Sequence, residues 1–168
     1  MRRQALRRGL WSAAAVLWML VIWSNSLRTA AESLAQSSEV MELLMPQLET
    51  MPMQEELWHA FVRKLAHMGE FALLGMLWNA ALLPSDCKRP RRTVWNRRGW
   101  ALFSCLLAAL ADETIQLFVP GRSGQLQDVG IDMLGSVLGS LLFFAARWAK
   151  SLAVRTIGET EFVRRNLR

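Results

Sequence analysis

The sequence predicts an all-α, polytopic membrane protein in which four transmembrane helices form an antiparallel bundle. Hydrophobic residues make up 52% of the 168 residues, while charged residues make up 20% and are distributed unevenly. Several apolar stretches are long enough for a helix that crosses a hydrocarbon core about 30 Å thick. The connections between these stretches are alternately rich and poor in basic residues, which is typical of chains inserted in a membrane.

The first predicted span covers residues 9–26. No charged residue occurs between Arg8 and Arg28, so a helix in this stretch could cross the bilayer. A cleaved signal peptide is the alternative, because arginines precede the apolar stretch. No small-x-small cleavage site follows promptly, which favours a retained span.

The other predicted spans are residues 58–83, 99–119 and 126–148, which complete a domain over 1–148 and leave a basic cytoplasmic tail at 149–168. Their uninterrupted apolar runs are only about 13 to 15 residues long, so core helices of a soluble bundle are an alternative. Tryptophans near the span ends favour the membrane, because their rings prefer the headgroup layer. In the connection at 29–56, helical spacing of apolar residues predicts a short amphipathic helix on the outer surface.

Basic residues predict the topology of the four spans. Four arginines precede the first span, and six lysines and arginines occupy the second connection. The first connection instead carries six glutamates and one arginine, and Arg122 is the only basic residue of the third. This pattern predicts a multi-pass protein of the cell membrane with both termini in the cytoplasm. Positive-inside loops explain the pI of about 10.6, so no nucleic-acid partner is needed.

With this orientation, the polar residues of the spans are expected to converge on one extracytoplasmic layer. Three basic residues, Arg63, Lys64 and Arg122, would face five acidic ones, a net charge of −2 if His67 is neutral. A protonated carboxyl, a charged histidine or a bound cation would offset this excess. A divalent cation is therefore one candidate cofactor, although no metal can be identified from the residues.

The candidate site residues fall into two groups. The Pro120-Gly121-Arg122 turn offers a guanidinium suited to phosphate or carboxylate. The candidate ligand-binding residues are Ser26, Lys64, Gln116, Arg122, Asp128 and Asp132. The candidate catalytic residues are His67, Glu70, Asp112 and Glu113. The same cluster could instead be a polar lock between helices, and Gly135-x-x-x-Gly139 is interpreted as a helix-packing surface.

Three ordered motifs carry a family resemblance: "VRKLAHMGEF" at 62–71, "ADETIQLFVPGRSGQLQDV" at 111–129 and "IDMLGSVLG" at 131–139. With them the chain resembles the VanZ-like family of small bacterial membrane proteins. The resemblance implies a place in the bacterial inner membrane and the cell envelope. The family takes its name from a resistance factor against the glycopeptide antibiotic teicoplanin, and the resemblance supplies no settled biochemical activity.

These observations leave three functional hypotheses. In the first, the polar pocket binds an anionic membrane lipid or a lipid-linked cell-envelope precursor and influences glycopeptide susceptibility. In the second, the protein is a membrane hydrolase or transferase acting on a lipid-linked phosphate, with His67 as acid or base. In the third, the cluster has a structural or partner-binding role. The sequence does not determine the oligomeric state or whether transport occurs.

Overall fold

The computed structural model describes residues 2–48, 54–83 and 91–166, all of which are helical apart from short connections. The five helices are α1 (Arg2–Ser26), α2 (Ala30–Leu48), α3 (Glu55–Leu82), α4 (Arg91–Gln116) and α5 (Leu126–Asn166). The predicted all-α class is therefore confirmed for the described residues.

Two helices extend further than the apolar runs alone suggest. The sequence places a linker at 84–98, yet α4 begins at Arg91, and α5 continues through the basic tail to Asn166. Arginine is a good helix former, so a basic segment can prolong a helix beyond its apolar part. The amphipathic helix predicted between the first two spans is also longer than expected, because α2 covers 19 residues.

Helix α3 lies at the centre of the bundle and contacts each of the other four helices. Its Phe71 and Leu74 are fully buried and belong to a core cluster that also contains Ile22 of α1 and Cys105 of α4. Because α3 also carries polar residues one and two turns before Phe71, the core fixes the position of those residues.

Close packing of α3 on α5 depends on glycine. A β carbon at Gly75 of α3 would lie 2.5 Å from the carbonyl oxygen of Ser136. β carbons at Gly135 and Gly139 of α5 would overlap the backbone carbonyls of Met68 and Ala72. The interpretation of Gly135 and Gly139 as a packing surface is confirmed, because only a hydrogen side chain permits this approach.

Two of the described helices are long and apolar enough to cross a membrane, namely α1 and the Leu126–Val154 part of α5. Both expose large hydrophobic side chains: Leu17 is 63% exposed, and Leu141 and Leu142 are each 59% exposed. Helices α3 and α4 are not among them; polar residues such as His67 and Asn79 in α3 and Asp112 and Glu113 in α4 lower their mean hydropathy. The extensive apolar surface favours a lipid environment.

One polar pair corrects the expectation that all polar groups within the spans meet in one layer. Asn79, near the other end of α3, donates hydrogen bonds to the Gly75 carbonyl at 2.7 Å and to Ser140 Oγ at 2.9 Å. Asn79 is twelve residues beyond His67, or about 18 Å along a helix. Ser140 accepts from the amide nitrogen and so links α3 to α5, while Asn79 Oδ1 is buried without a hydrogen-bond partner among the described residues.

Candidate functional site

The candidate site lies at the end of the bundle where α1 and α4 end and α5 begins. Helix α4 ends at Gln116, and a turn containing Pro120, Gly121 and Arg122 leads into α5. Gly121 has a φ of 75°, a left-handed conformation that favours glycine. The turn is docked on the α1–α2 connection, because the Ala30 N–H donates to the Pro120 carbonyl at 3.4 Å.

Arg122 connects this turn to α1 and α2. Its guanidinium donates to Ser33 Oγ at 3.0 Å and, at 3.5 Å, to the carbonyl of Ser26, the last residue of α1. Burial lowers the pKa of Arg122, and the nearby positive charge of Arg63 lowers it further. The guanidinium is therefore held in place by neutral oxygens, beside a second cation.

His67 and Glu70 lie one turn apart on α3 and face α1. Asn25 Nδ2 donates to Glu70 Oε1 at 2.7 Å, while His67 Nδ1 lies 3.7 Å from Glu70 Oε2. The Trp18 indole donates to the Glu70 backbone carbonyl at 2.9 Å. Glu70 thus connects α1 to α3 through both its side chain and its backbone.

Lys64 pairs with the first acid of α5. Its Nζ lies 2.8 Å from Asp128 Oδ1, and the two side chains are 35% and 26% exposed. This pair neutralises one acid of the cluster and joins the first half of α3 to the first turn of α5.

The three remaining acids are buried together. Asp112 and Glu113 on α4 and Asp132 on α5 are 0%, 8% and 2% exposed, and one carboxylate oxygen from each lies within 4.8 Å of the others. Gln116 Nε2 donates to Asp112 Oδ2 at 2.9 Å and to Glu113 Oε1 at 3.4 Å. The backbone N–H of Gln125 donates to Glu113 Oε2 at 2.7 Å.

Two adjoining cavities open at this end of the bundle. The first has a volume of about 120 Å³ and lies between α1, α2 and α3; it includes Asn25, Ser33, Ser37 and Glu70. The second has a volume of about 80 Å³ and includes Glu113, Gln116, Asp128 and Asp132. Both cavities are lined by Arg63, His67 and Arg122. These three side chains therefore separate a wall rich in hydroxyl groups from an acidic one.

The structure brings the predicted site residues into one region. Most of them line the two cavities. The exceptions are Lys64, which is bonded to the lining residue Asp128, and Ser26 and Asp112, which are fully buried behind the cavity walls. Sequence reasoning missed Asn25, although it is the direct neighbour of the candidate residue Ser26. It also missed Ser33 and Ser37, because their role depends on how α2 folds back onto α3.

Apolar exposed helices around a buried polar site define the class of the protein: a helical membrane protein. Comparison with protein families matches residues 11–147 to VanZ/LLP1, and the chain belongs to this family. No curated protein and no solved structure matches the chain.

Proposed function

We propose that the protein crosses the cell membrane four times, with both termini in the cytoplasm, and that the cavity beside Arg122 binds the anionic headgroup of a lipid or lipid-linked envelope precursor. Helix α4 exposes apolar side chains between its charged ends: Phe103 is 46% exposed and Leu107 is 51% exposed. Helix α3 likewise exposes Phe61 and Leu65. Such surfaces support a lipid-facing position for both helices, although their polar residues lower the mean hydropathy.

The observation that carries the binding proposal is the convergence of two guanidinium groups on one cavity. Arg122 and Arg63 both line the cavity of about 120 Å³, together with the hydroxyls of Ser33 and Ser37 and the amide of Asn25. A guanidinium donates paired hydrogen bonds that match the oxygens of phosphate. The cavity therefore offers both charge and neutral donors to a phosphate-containing headgroup.

Electrostatics adds to this argument. Arg63 has no hydrogen-bond partner among the described residues, and its charge opposes that of Arg122. An anion between the two guanidiniums would relieve this repulsion. The cavity also includes Val40, Val62 and Ala66, so apolar atoms adjoin the polar groups. This mixed lining suits a lipid, whose charged headgroup is bonded to an apolar chain.

The test compares lipid retention by purified full-length protein after exchange into micelles containing phosphatidylglycerol or phosphatidylcholine. We expect selective retention of the anionic lipid, and Arg122→Ala should weaken it about tenfold or more, which corresponds to about 1.4 kcal/mol. Arg122→Lys should retain only part of the lipid binding, because lysine keeps the positive charge but not the planar guanidinium that donates paired hydrogen bonds. Lys150→Ala is the matched control, since it removes an exposed positive charge far along α5. Equal retention of both lipids, or equal effects of Arg122→Ala and Lys150→Ala, would refute the proposal.

We further propose that headgroup binding influences glycopeptide susceptibility. Expression of the wild-type protein in a bacterial host should change the inhibitory concentration of teicoplanin. Arg122→Ala, produced at the same level in the membrane, should have a smaller effect. If the wild-type protein and Arg122→Ala changed the inhibitory concentration equally, the effect on teicoplanin susceptibility would not depend on this cavity. That result would favour a partner-binding role.

A second candidate function, phosphate-ester hydrolysis or transfer, is favoured by His67. Its imidazole lines both cavities and lies 3.7 Å from the Glu70 carboxylate, an arrangement that can orient an acid or base. The test measures phosphate release from a lipid-linked phosphate by the wild-type protein and by His67→Gln, with and without divalent metal ions. Absence of turnover under all these conditions would remove this candidate and leave the binding proposal intact.

A further inference from the structure

The three buried acids lack the basic partners that the other acids of the site have. Glu70 lies 3.7 Å from His67, and Asp128 is paired with Lys64. Among the described residues, no lysine, arginine or histidine forms a salt bridge with Asp112, Glu113 or Asp132. Their carboxyl groups are thus close together, buried, and without a direct cationic partner.

Two oxygens in this group also lack a hydrogen-bond donor. Gln116 and Gln125 supply donors to the cluster, but Asp112 Oδ1 and Asp132 Oδ2 are buried and have no partner in the described part of the chain. A buried carboxylate oxygen without a donor is costly, and a second one within a few ångströms adds repulsion.

Ser26 provides an independent observation from a different helix. It is the last residue of α1 and is 0% exposed, and its Oγ has no partner with hydrogen-bonding geometry among the described residues. The hydroxyl nevertheless lies close enough to the Asp112 carboxyl to interact with it. A neutral oxygen at the end of α1 is therefore directed at the acids of α4 and α5.

We propose that Asp112, Glu113 and Asp132 bind a divalent cation, with the Ser26 hydroxyl as a further oxygen ligand. All four donors are oxygens, which selects hard cations such as Ca²⁺, Mg²⁺ or Mn²⁺. Opposite ligands of Ca²⁺ are about 4.6–5.2 Å apart, whereas those of Mg²⁺ are about 4.0–4.2 Å apart. The carboxylate oxygens all lie within 4.8 Å of one another, a limit that the coordination sphere of Ca²⁺ accommodates.

A route to this site exists in the structure. Glu113 and Asp132 line the cavity of about 80 Å³, and Asp128 lies at the same cavity. Arg63 and Arg122 also line this cavity, but a cation could reach the cluster along its acidic side, while Ser26 and Asp112 close the site from behind. The inference goes beyond the proposed headgroup site and does not depend on it, because the cation ligands are all separate from Arg122 and Arg63.

The test uses the purified full-length chain in a neutral detergent, treated with a chelator and free of anionic lipid. Titration with Ca²⁺, Mn²⁺ or Mg²⁺ alone, followed by calorimetry, should show one saturable site per chain, tightest for Ca²⁺ or Mn²⁺. Asp132→Asn should weaken binding about tenfold or more. Glu39→Gln is the control, because it removes an exposed carboxylate of α2 that lines neither cavity, and it should have little effect.

Ser26→Ala serves as the second variant, because it leaves the three acids intact and should weaken cation binding without abolishing it. A wild-type protein that is folded, as shown by size-exclusion chromatography, and binds no cation would overturn the proposal. Equal weakening by Glu39→Gln and Asp132→Asn would also overturn it, since general charge attraction would then explain the binding. Because no lipid phosphate is present, either result leaves the headgroup proposal untouched.

Discussion

Gly139 of α5 lies against the backbone carbonyl of Ala72 in α3, and no space remains for a β carbon at position 139. The contact belongs to the most extensive helix pair in the fold. Helix α3 carries Lys64, and α5 carries its partner Asp128. The glycine contact therefore sets the axial position of one half of the polar site relative to the other.

Replacement of this glycine tests the close approach of the two helices. Gly139→Ala should destabilise the protein by about 1–3 kcal/mol, because the added methyl group forces α3 and α5 apart. Gly130→Ala is the matched control, since a β carbon at Gly130 meets nothing within 4 Å. It should be neutral or stabilising, because alanine favours a helix. Unfolding in mixed micelles measures both variants, and equal stabilities would contradict the packing described here.

The bond from Asn25 to Glu70 gives a second prediction. Asn25→Ala removes the donor from a largely buried carboxylate and should cost about 1–3 kcal/mol. Ser24→Ala is the neighbouring control, because Ser24 is exposed and donates only to the Val21 carbonyl of its own helix. The same unfolding assay distinguishes the two variants. If Ser24→Ala were as destabilising as Asn25→Ala, the loss of stability would reflect a general disturbance at the end of α1 and not the loss of the bond from Asn25 to Glu70.

The ion pair of Lys64 with Asp128 should contribute modestly, because both side chains are partly exposed to solvent. A double-mutant cycle with Lys64→Met and Asp128→Asn should give a coupling free energy of about 0.2–1 kcal/mol that decreases as salt is added. A coupling that does not respond to salt would show that packing, rather than charge, joins the two residues.

The first turn of α2 should depend on pH through Glu32. Its carboxylate accepts hydrogen bonds from the Thr29 backbone N–H at 2.8 Å and from the Thr29 hydroxyl at 2.9 Å, a capping box that lowers the pKa of Glu32 from its ordinary value of 4.5. The stabilisation is therefore fully present above pH 4.5 and is lost as the pH falls through the lower value of the folded state. Amide exchange in α2, corrected for its intrinsic pH dependence, should show this loss. Glu32→Gln should make the amide exchange of α2 less dependent on pH, whereas Glu39→Gln, on the same helix, should leave the pH dependence unchanged.

The topology can be tested with a native thiol. Cys87 belongs to the connection between α3 and α4, which lies outside the described residues, while Cys105 is buried. Four spans place Cys87 in the cytoplasm, so an impermeant maleimide should label it only after the membrane is permeabilised. A protein that crosses only through α1 and α5 would expose Cys87 on the outside. Ser123→Cys should be labelled from the outside in both cases and serves as the control.

The sequence allowed much of the architecture to be predicted, because apolar runs and glycine spacing are local properties. It also allowed the acids and bases of the site to be grouped, since charged residues in apolar segments must meet one another. The individual partners could not be predicted. Whether Lys64 meets Asp128 or Asp132 depends on how α3 and α5 are rotated and shifted relative to each other, and the bond of Asn79 to Ser140 depends on the same packing. The ends of α4 and α5 were also missed, because charge indicates where a helix leaves the membrane rather than where it stops.

Helix α5 covers 41 residues, which at 1.5 Å per residue is about 60 Å, or twice the thickness of a hydrocarbon core. With Asp128 and Asp132 in its first two turns, the same unbroken helix carries a basic segment well beyond the apolar part. The length of this single helix therefore fixes the distance between the acidic site and the far basic end, whatever the thickness of the bilayer. In a thinner or thicker membrane, this distance stays constant, and the depth or tilt of the helix must change instead.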